Sequence, residues 1–303
     1  MKKKIGLVLS GGGARGLFAV KILELLFKSG FDFTQIRSIS GVSVGSIIGA
    51  MLVQGDLNVL VEMFKNIKNK DVYAGKIGLA RIAWNALRGK NHVLDIEPLH
   101  TLLWKYIDLS KAQKSKVPFE IGVVDMTTGK YRSFNQWDFN SNEQYIRCIM
   151  ASCSQPVIWE PQMFSTKFET IVAGIDGGVV TVSPIKYVLK YNPDELIIIN
   201  SSPCEIQTAI DINRLEKTLL RTIDLAVSQS FVKDMETFQK YNRIAREIKW
   251  KDNSFGWKYY PAKIYQTTLH EDSLNFDSEE LKIMRINNAE EAFKQTENEK
   301  III

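Results

Sequence analysis

Three cysteines and three histidines in 303 residues exclude several common chemistries at the outset. Cys148, Cys153 and Cys204 are odd in number and have no metal-ligand spacing, which argues against a disulfide framework and for a reducing compartment. Each reads as a small buried apolar residue, and no metal or cofactor is expected. No run of 18 uncharged apolar residues occurs, which argues against a transmembrane helix. Met1-Lys2-Lys3-Lys4 opens like a signal peptide, but the apolar run Ile5 to Leu9 is cut short by Ser10 and three glycines. The expectation is a cytoplasmic protein, or one that touches membranes from one side. Repeats, linkers and low-complexity segments are also missing, so residues 1–303 read as one domain with a helical C-terminal part over 205–303. A composition of 45% hydrophobic and 24% charged residues is that of an ordinary globular chain.

Charge is present but uneven. Lys65, Lys68, Lys70, Lys76, Arg81, Arg88 and Lys90 face Asp71 alone within residues 64–90, enough to account for the formal +5 of the whole chain. No nucleic-acid-binding motif accompanies them, so nucleic acid is not the expected partner. Residues 77–88 read as a helix with Ile77, Ala80, Arg81, Trp84 and Leu87 along one side. Two readings stand: an amphipathic helix whose apolar side faces the core, or a basic, Trp-bearing flap resting on an anionic bilayer, with Lys65, Lys68, Lys70, Arg81 and Trp84 in contact.

The chain is organised around Gly41-Val42-Ser43-Val44-Gly45, which places a serine between two glycines where an apolar strand (Gln35 to Ser40) gives way to an apolar helix (Val44 to Gln54). This is the pattern of a nucleophile elbow: the serine stands at the apex of a strained turn, and a β-carbon at 41 or 45 collides with the neighbouring chain. Upstream, the buried strand Lys4 to Leu9 runs into Ser10-Gly11-Gly12-Gly13-Ala14-Arg15-Gly16 and then a helix over Leu17 to Lys28. Gly11, Gly13 and Gly16 also satisfy G-x-G-x-x-G, and Asp32 follows 21 residues after Gly11, imitating a dinucleotide fingerprint. Placement argues against that reading, because Asp32 precedes the second strand instead of ending it. The consecutive glycines read better as bare backbone N–H groups able to hold an oxyanion.

Further strands are expected over Val117–Val124, Tyr131–Phe134, Ile171–Ile175, Leu196–Asn200 and Ala262–Thr268. Helices are expected over Leu57–Lys68, Glu97–Ile107, Glu143–Ala151, about Ala209 to Trp250, where glycine and proline are missing, and from Asp277 to about Lys294. The strand Ile171–Ile175 ends in Asp176-Gly177-Gly178, a place for a catalytic carboxylate or for an ordinary turn.

Gly11-Gly12-Gly13-Ala14-Arg15-Gly16, Gly41-Val42-Ser43-Val44-Gly45 and Asp176-Gly177-Gly178 together resemble, in order, the three motifs of the patatin-like phospholipases. Ala151-Ser152-Cys153-Ser154-Gln155-Pro156 resembles that family's small-residue loop, and Leu274-Asn275-Phe276-Asp277 its terminal helix start. The resemblance implies an α/β protein with three α/β/α layers and a mostly parallel central sheet. It further implies a serine and aspartate dyad, Ser43 as nucleophile and Asp176 as general base, and metal-independent hydrolysis of acyl esters. Val42, Val44 and Ser46 depart from the residues frequent around the family's serine, which bears on substrate preference. The expected substrate is a phospholipid or lysophospholipid. A soluble ester or thioester, and a non-catalytic protein that keeps the fold, are the alternatives.

In this reading Gly11, Gly12 and Gly13 form the oxyanion hole. Gly16, Gly41, Gly45, Gly177 and Gly178 support the motifs, and Arg15 steadies the loop, meets a head group or forms a salt bridge. The order Ser43, Asp176, His270 keeps a histidine triad open, although Leu269-His270-Glu271-Asp272-Ser273 reads as a charged surface connection. A carboxylate base with an ordinary pKa near 4 predicts no ascending limb of activity around neutral pH.

Overall fold

The computed structural model describes residues 2–203, 215–247 and 258–298. Cys204 and the two ends of the expected helix from Ala209 to Trp250 lie outside them. In chain order the elements are β1 (Ile5–Leu9), α1 (Gly16–Lys28), β2 (Ile36–Val42), α2 (Val44–Val53), α3 (Leu57–Asn66), α4 (Asn69–Val72), α5 (Leu79–Leu87), α6 (Glu97–Tyr106) and α7 (Leu109–Lys114). There follow β3 (Phe119–Asp125), β4 (Lys130–Asn135), α8 (Asn142–Cys153), β5 (Gln162–Ser165), β6 (Thr170–Asp176), α9 (Ile185–Leu189), β7 (Glu195–Asn200), α10 (Leu215–Glu247), β8 (Ala262–Gln266) and α11 (Glu279–Asn298). The expected strands and long helices are present within a few residues of their expected bounds. The sequence reading omitted β5 and the short helices α4, α7 and α9.

The strands form one mixed sheet in the order β5-β6-β3-β2-β1-β7-β8, with β4 also paired to β3. β1 pairs in parallel with β2 and β7, β2 with β3, and β7 with β8, so the centre is parallel. The pairs involving β4, β5 and β6 are antiparallel. Layering follows from alternation along β1. Leu7 and Leu9 join the large core beneath α1, α2, α8 and α11. Val8 points the other way, into a smaller core with Ile185 and Val188 of α9 and Phe231 and Met235 of α10. The result is an α/β/α sandwich.

The strand that positions the site is β3. β4 occupies one edge along Glu120–Asp125, while the other edge is shared end to end, with β2 against Phe119–Gly122 and β6 against Val123–Asp125. Val42 pairs with Gly122 and Asp176 pairs with Val123. The C-terminal ends of β2 and β6, remote in sequence, therefore meet head to head one residue apart on β3.

Candidate active site

Ser43 directly follows β2 and has φ 54° and ψ −130°, a backbone conformation disfavoured for a residue with a side chain. Surrounding bonds hold it there. Its amide donates to Ser152 Oγ at 2.9 Å, and its carbonyl accepts from the amide of Ser46 at 2.8 Å and from Ser46 Oγ at 2.6 Å. The flanking glycines are sterically required: a β-carbon on Gly41 would lie 2.3 Å from Gly45 O, and one on Gly45 would lie 2.3 Å from Leu9 O. Ser46, a departure from the family pattern, thus gains a role in fixing the elbow.

Asp176 is the last residue of β6. Its amide donates to Ser154 O at 2.9 Å, and its Oδ1 accepts from the amide of Gly178 at 2.7 Å. Gly177 allows the approach, since a β-carbon there would stand 2.6 Å from Val42 Cγ2 and 2.7 Å from Gly122 O. Burial pushes the Asp176 carboxyl up to about 7, opposed by the hydrogen bond from Gly178 N–H and by a favourable interaction with the Ser43 side chain. The structure therefore brings the two side chains into interaction. It also corrects the pH expectation, which rested on an unperturbed carboxylate.

The loop Gly11–Gly13 lies beside them. A β-carbon on Gly11 would lie 3.2 Å from Ser43 Cβ. Among the described residues, the amides of Gly11, Gly12 and Gly13 donate to no protein group, whereas Ala14 N is taken by Ser273 O at 2.7 Å. Gly13 has φ +56° and packs against Ser273 O, so a side chain is excluded there on both counts. Arg15 is buried and its Nε donates to Gly12 O at 3.3 Å, bracing the loop. Asp32, the residue that imitated a nucleotide ligand, instead caps the short turn before β2 by accepting from Thr34 N at 2.8 Å and pairs with Lys2.

Next to Ser43 is a narrow cavity of ≈ 50 Å³, walled by apolar side chains that include Ile47, Met63, Phe64, Leu99, Trp159 and Phe276. Its wall is completed by Phe276, in the segment carrying Leu274-Asn275-Phe276-Asp277. That segment is fastened by Phe276 N to Asn69 Oδ1 at 2.7 Å and by Tyr73 OH to Leu274 O at 2.9 Å.

Serines carry bracing functions that periodicity does not reveal. Ser152 Oγ, near the end of α8, passes the elbow's hydrogen bond on to Gly122 O at 2.7 Å, and the backbone carbonyl of Ser154 accepts from the amide of Asp176, so this small-residue stretch braces the backbone of both residues. The only available signal was the loop's composition. Two of the histidines are engaged elsewhere: His100 contacts Glu97 and Glu143, and His92 contacts Asn91.

The core-facing reading of residues 77–88 holds for Ile77 and Ile82, which pack against the large core, but fails for Trp84 and Leu87. Trp84 is 55% exposed and Leu87 83% exposed, whereas Asn85 is buried and donates to His92 O and Val93 O. Lys65, Lys68 and Lys70 are exposed, with Lys65 paired to Glu62. Arg81 is turned inward, its Nε donating to Val93 O at 2.7 Å, which removes it from the expected basic surface. No helix among the described residues is long and apolar enough to cross a membrane.

Comparison with known proteins adds sequence relationships to this geometry. The patatin-like phospholipase family matches residues 7–189. The uncharacterized protein YqhO of Bacillus subtilis is 25% identical over 214 residues, 65% of this chain and 71% of its own length. Lysophospholipase nte1 of Aspergillus niger is 40% identical over 76 residues, covering 25% of this chain and only 4% of that much longer protein. Among solved structures, VipD from Legionella pneumophila aligns at a TM-score of 0.44 with 12% identity, over 98% of this chain and 67% of its own.

Proposed function

From a chain that belongs to the patatin-like phospholipase family, we propose a lipid acyl hydrolase that cleaves ester bonds of phospholipids or lysophospholipids through Ser43 and Asp176. The observation that carries this reading is the meeting of β2 and β6 on β3, which sets a hydroxyl against a buried carboxyl at the mouth of an apolar cavity. A neutral serine is a poor nucleophile and needs a base within hydrogen-bond reach. Asp176, raised to about 7, is matched to that task near neutral pH.

Ser43 Oγ bonds to the ester carbonyl carbon while its proton passes to Asp176. The amides of Gly11, Gly12 and Gly13 hold the oxyanion, each such donor being worth about a hundred- to a thousand-fold in rate. Collapse breaks the acyl–oxygen bond, and the proton on Asp176 leaves with the alcohol. Water then gives a proton to Asp176 and attacks the acyl-enzyme, releasing the fatty acid and restoring the serine. Arg15 acts as a brace for the glycine loop in this scheme.

The narrowness of the cavity favours a second reading, a hydrolase of soluble esters or thioesters using the same pair. The deciding experiment compares defined phospholipids, lysophospholipids and a short-chain soluble ester with wild type, Ser43→Ala and Asp176→Asn, identifying the fatty acids released. Fluorophosphonate labelling that is lost in Ser43→Ala supports the nucleophile. No labelling and no hydrolysis leaves a protein that keeps the fold without the chemistry.

A further inference from the structure

Helix α5 is built inside out. Its inward side packs Ile82 against the large core but is otherwise polar: Asn85 is buried and donates to His92 O at 2.9 Å and Val93 O at 3.3 Å, and Arg81 reaches the same Val93 carbonyl. Its outward side carries Leu87 and Trp84, with the guanidinium of Arg88 stacked 4.5 Å over the Trp84 ring. A short helix that satisfies its polar side chains on the protein and turns its largest apolar ones outward has an unpartnered face.

The segment that follows this helix is tied to the wall of the cavity beside Ser43. The amides of Val93 and Leu94 donate to the carbonyls of Val157 and Ile158 at 3.0 and 2.8 Å, tying the α5 segment to the strip that carries Trp159. Val157 is itself 43% exposed and has φ 71°. Ala74 and Asp95 form a bridge on the other side, and Val72, Ile96 and Trp159 line the cavity beside Ser43. On α5 and its flanks Lys76, Arg88 and Lys90 are exposed and no acid occurs within residues 72–94, whereas the exposed acids Asp95 and Glu160 lie beyond that segment.

We infer that Trp84, Leu87 and Val157 form an interfacial anchor that seats the mouth of the cavity on an anionic lipid surface. Charge complementarity selects this occupant: exposed apolar side chains on a segment that carries exposed cations and no acid match anionic head groups over acyl chains. The inference rests on the acyl-hydrolase reading and deepens it, placing the substrate's own bilayer against the rim of the site. Arg81, turned inward, drops out of the basic contact expected from sequence, while the flanking Arg88 and Lys90 remain in it.

The test uses the full chain carrying Ser43→Ala, co-sedimented with vesicles of phosphatidylcholine alone and of phosphatidylcholine mixed with phosphatidylserine. The mixed vesicles are expected to retain the protein better. Trp84→Ser with Leu87→Ser is expected to weaken that binding at least tenfold, by roughly the transfer free energy of two exposed side chains, and Arg88→Glu with Lys90→Glu to remove the preference for phosphatidylserine. In the Ser43-containing chain, the ratio of the rate on vesicles to the rate on a soluble short-chain ester falls in the same variants. Vesicle binding unaffected by these substitutions overturns the anchor, as does a dimer in light scattering that Trp84→Ser with Leu87→Ser dissolves. Absence of all ester hydrolysis in the wild type strikes instead at the acyl-hydrolase reading, because the sedimentation result is independent of turnover.

Discussion

The amide of Ser43 and the hydroxyl of Ser152 are joined at 2.9 Å, and that hydroxyl in turn donates to Gly122 O. One side chain therefore fastens the elbow to α8 and β3 together. Ser152→Ala leaves a buried N–H and a buried C=O without that partner, at a cost of about 1–3 kcal/mol. The expected outcome is a lower urea midpoint and a kcat reduced about tenfold or more, with KM for a short ester less affected. Equal kcat in the variant would remove Ser152 from the support of the nucleophile.

Activity should rise with pH through about 7, because Asp176 as the proposed base must be ionised to accept the serine proton and its carboxyl is raised to about 7 by burial. His270→Ala should leave the limb in place, in contrast to a triad. A rate profile flat from pH 5 to pH 9, measured as kcat/KM on a soluble ester, contradicts Asp176 as the base.

The same carboxyl makes stability depend on pH. A carboxyl whose folded pKa lies above its unfolded value of about 4 favours the folded state when protonated, and that contribution is lost as pH rises from about 4 through about 7. Asp176→Asn carries no such loss. The variant is expected to be inactive yet more stable than wild type above pH 7, by on the order of 3 kcal/mol, with the gap closing below pH 4. Thermal melting of both proteins across that range measures it.

Gly45→Ala should be severe. The added carbon would meet Leu9 O, a backbone atom in the central strand that cannot yield cheaply. A loss of more than about 4 kcal/mol, or failure to fold, is expected. Gly78→Ala is the control, because nothing lies within 4 Å of a β-carbon there. It should change stability by about 0.5 kcal/mol at most.

How far the site is legible in sequence depends on the kind of constraint. Gly41, Gly45 and Gly177 can be read because contact distances at those places admit no side chain. The long strands and helices can be read because burial imposes a period. Ser152, through its hydroxyl, and Ser154, through its backbone carbonyl, act by a few hydrogen bonds across the fold, and such bonds leave no periodic trace. β5 is only Gln162–Ser165, too short for alternation to separate it from a loop. α5 shows how a correct pattern can mislead: its apolar side was visible, but nothing in the spacing of Trp84 and Leu87 tells whether that side meets the core or the outside. Asp176 was located, yet its raised pKa depends on how completely neighbouring elements close over it.

The sharing of one β3 edge by β2 and β6 makes that strand a ruler for the proposed reaction. Side chains on a strand alternate between the two faces of the sheet, so a single residue inserted into β6 ahead of Asp176 would swing the carboxyl to the wrong side while leaving the sheet's composition nearly untouched. Turnover then reports strand register directly, and a chain that has collapsed with its strands mispaired should be silent in an esterase assay however much secondary structure it displays.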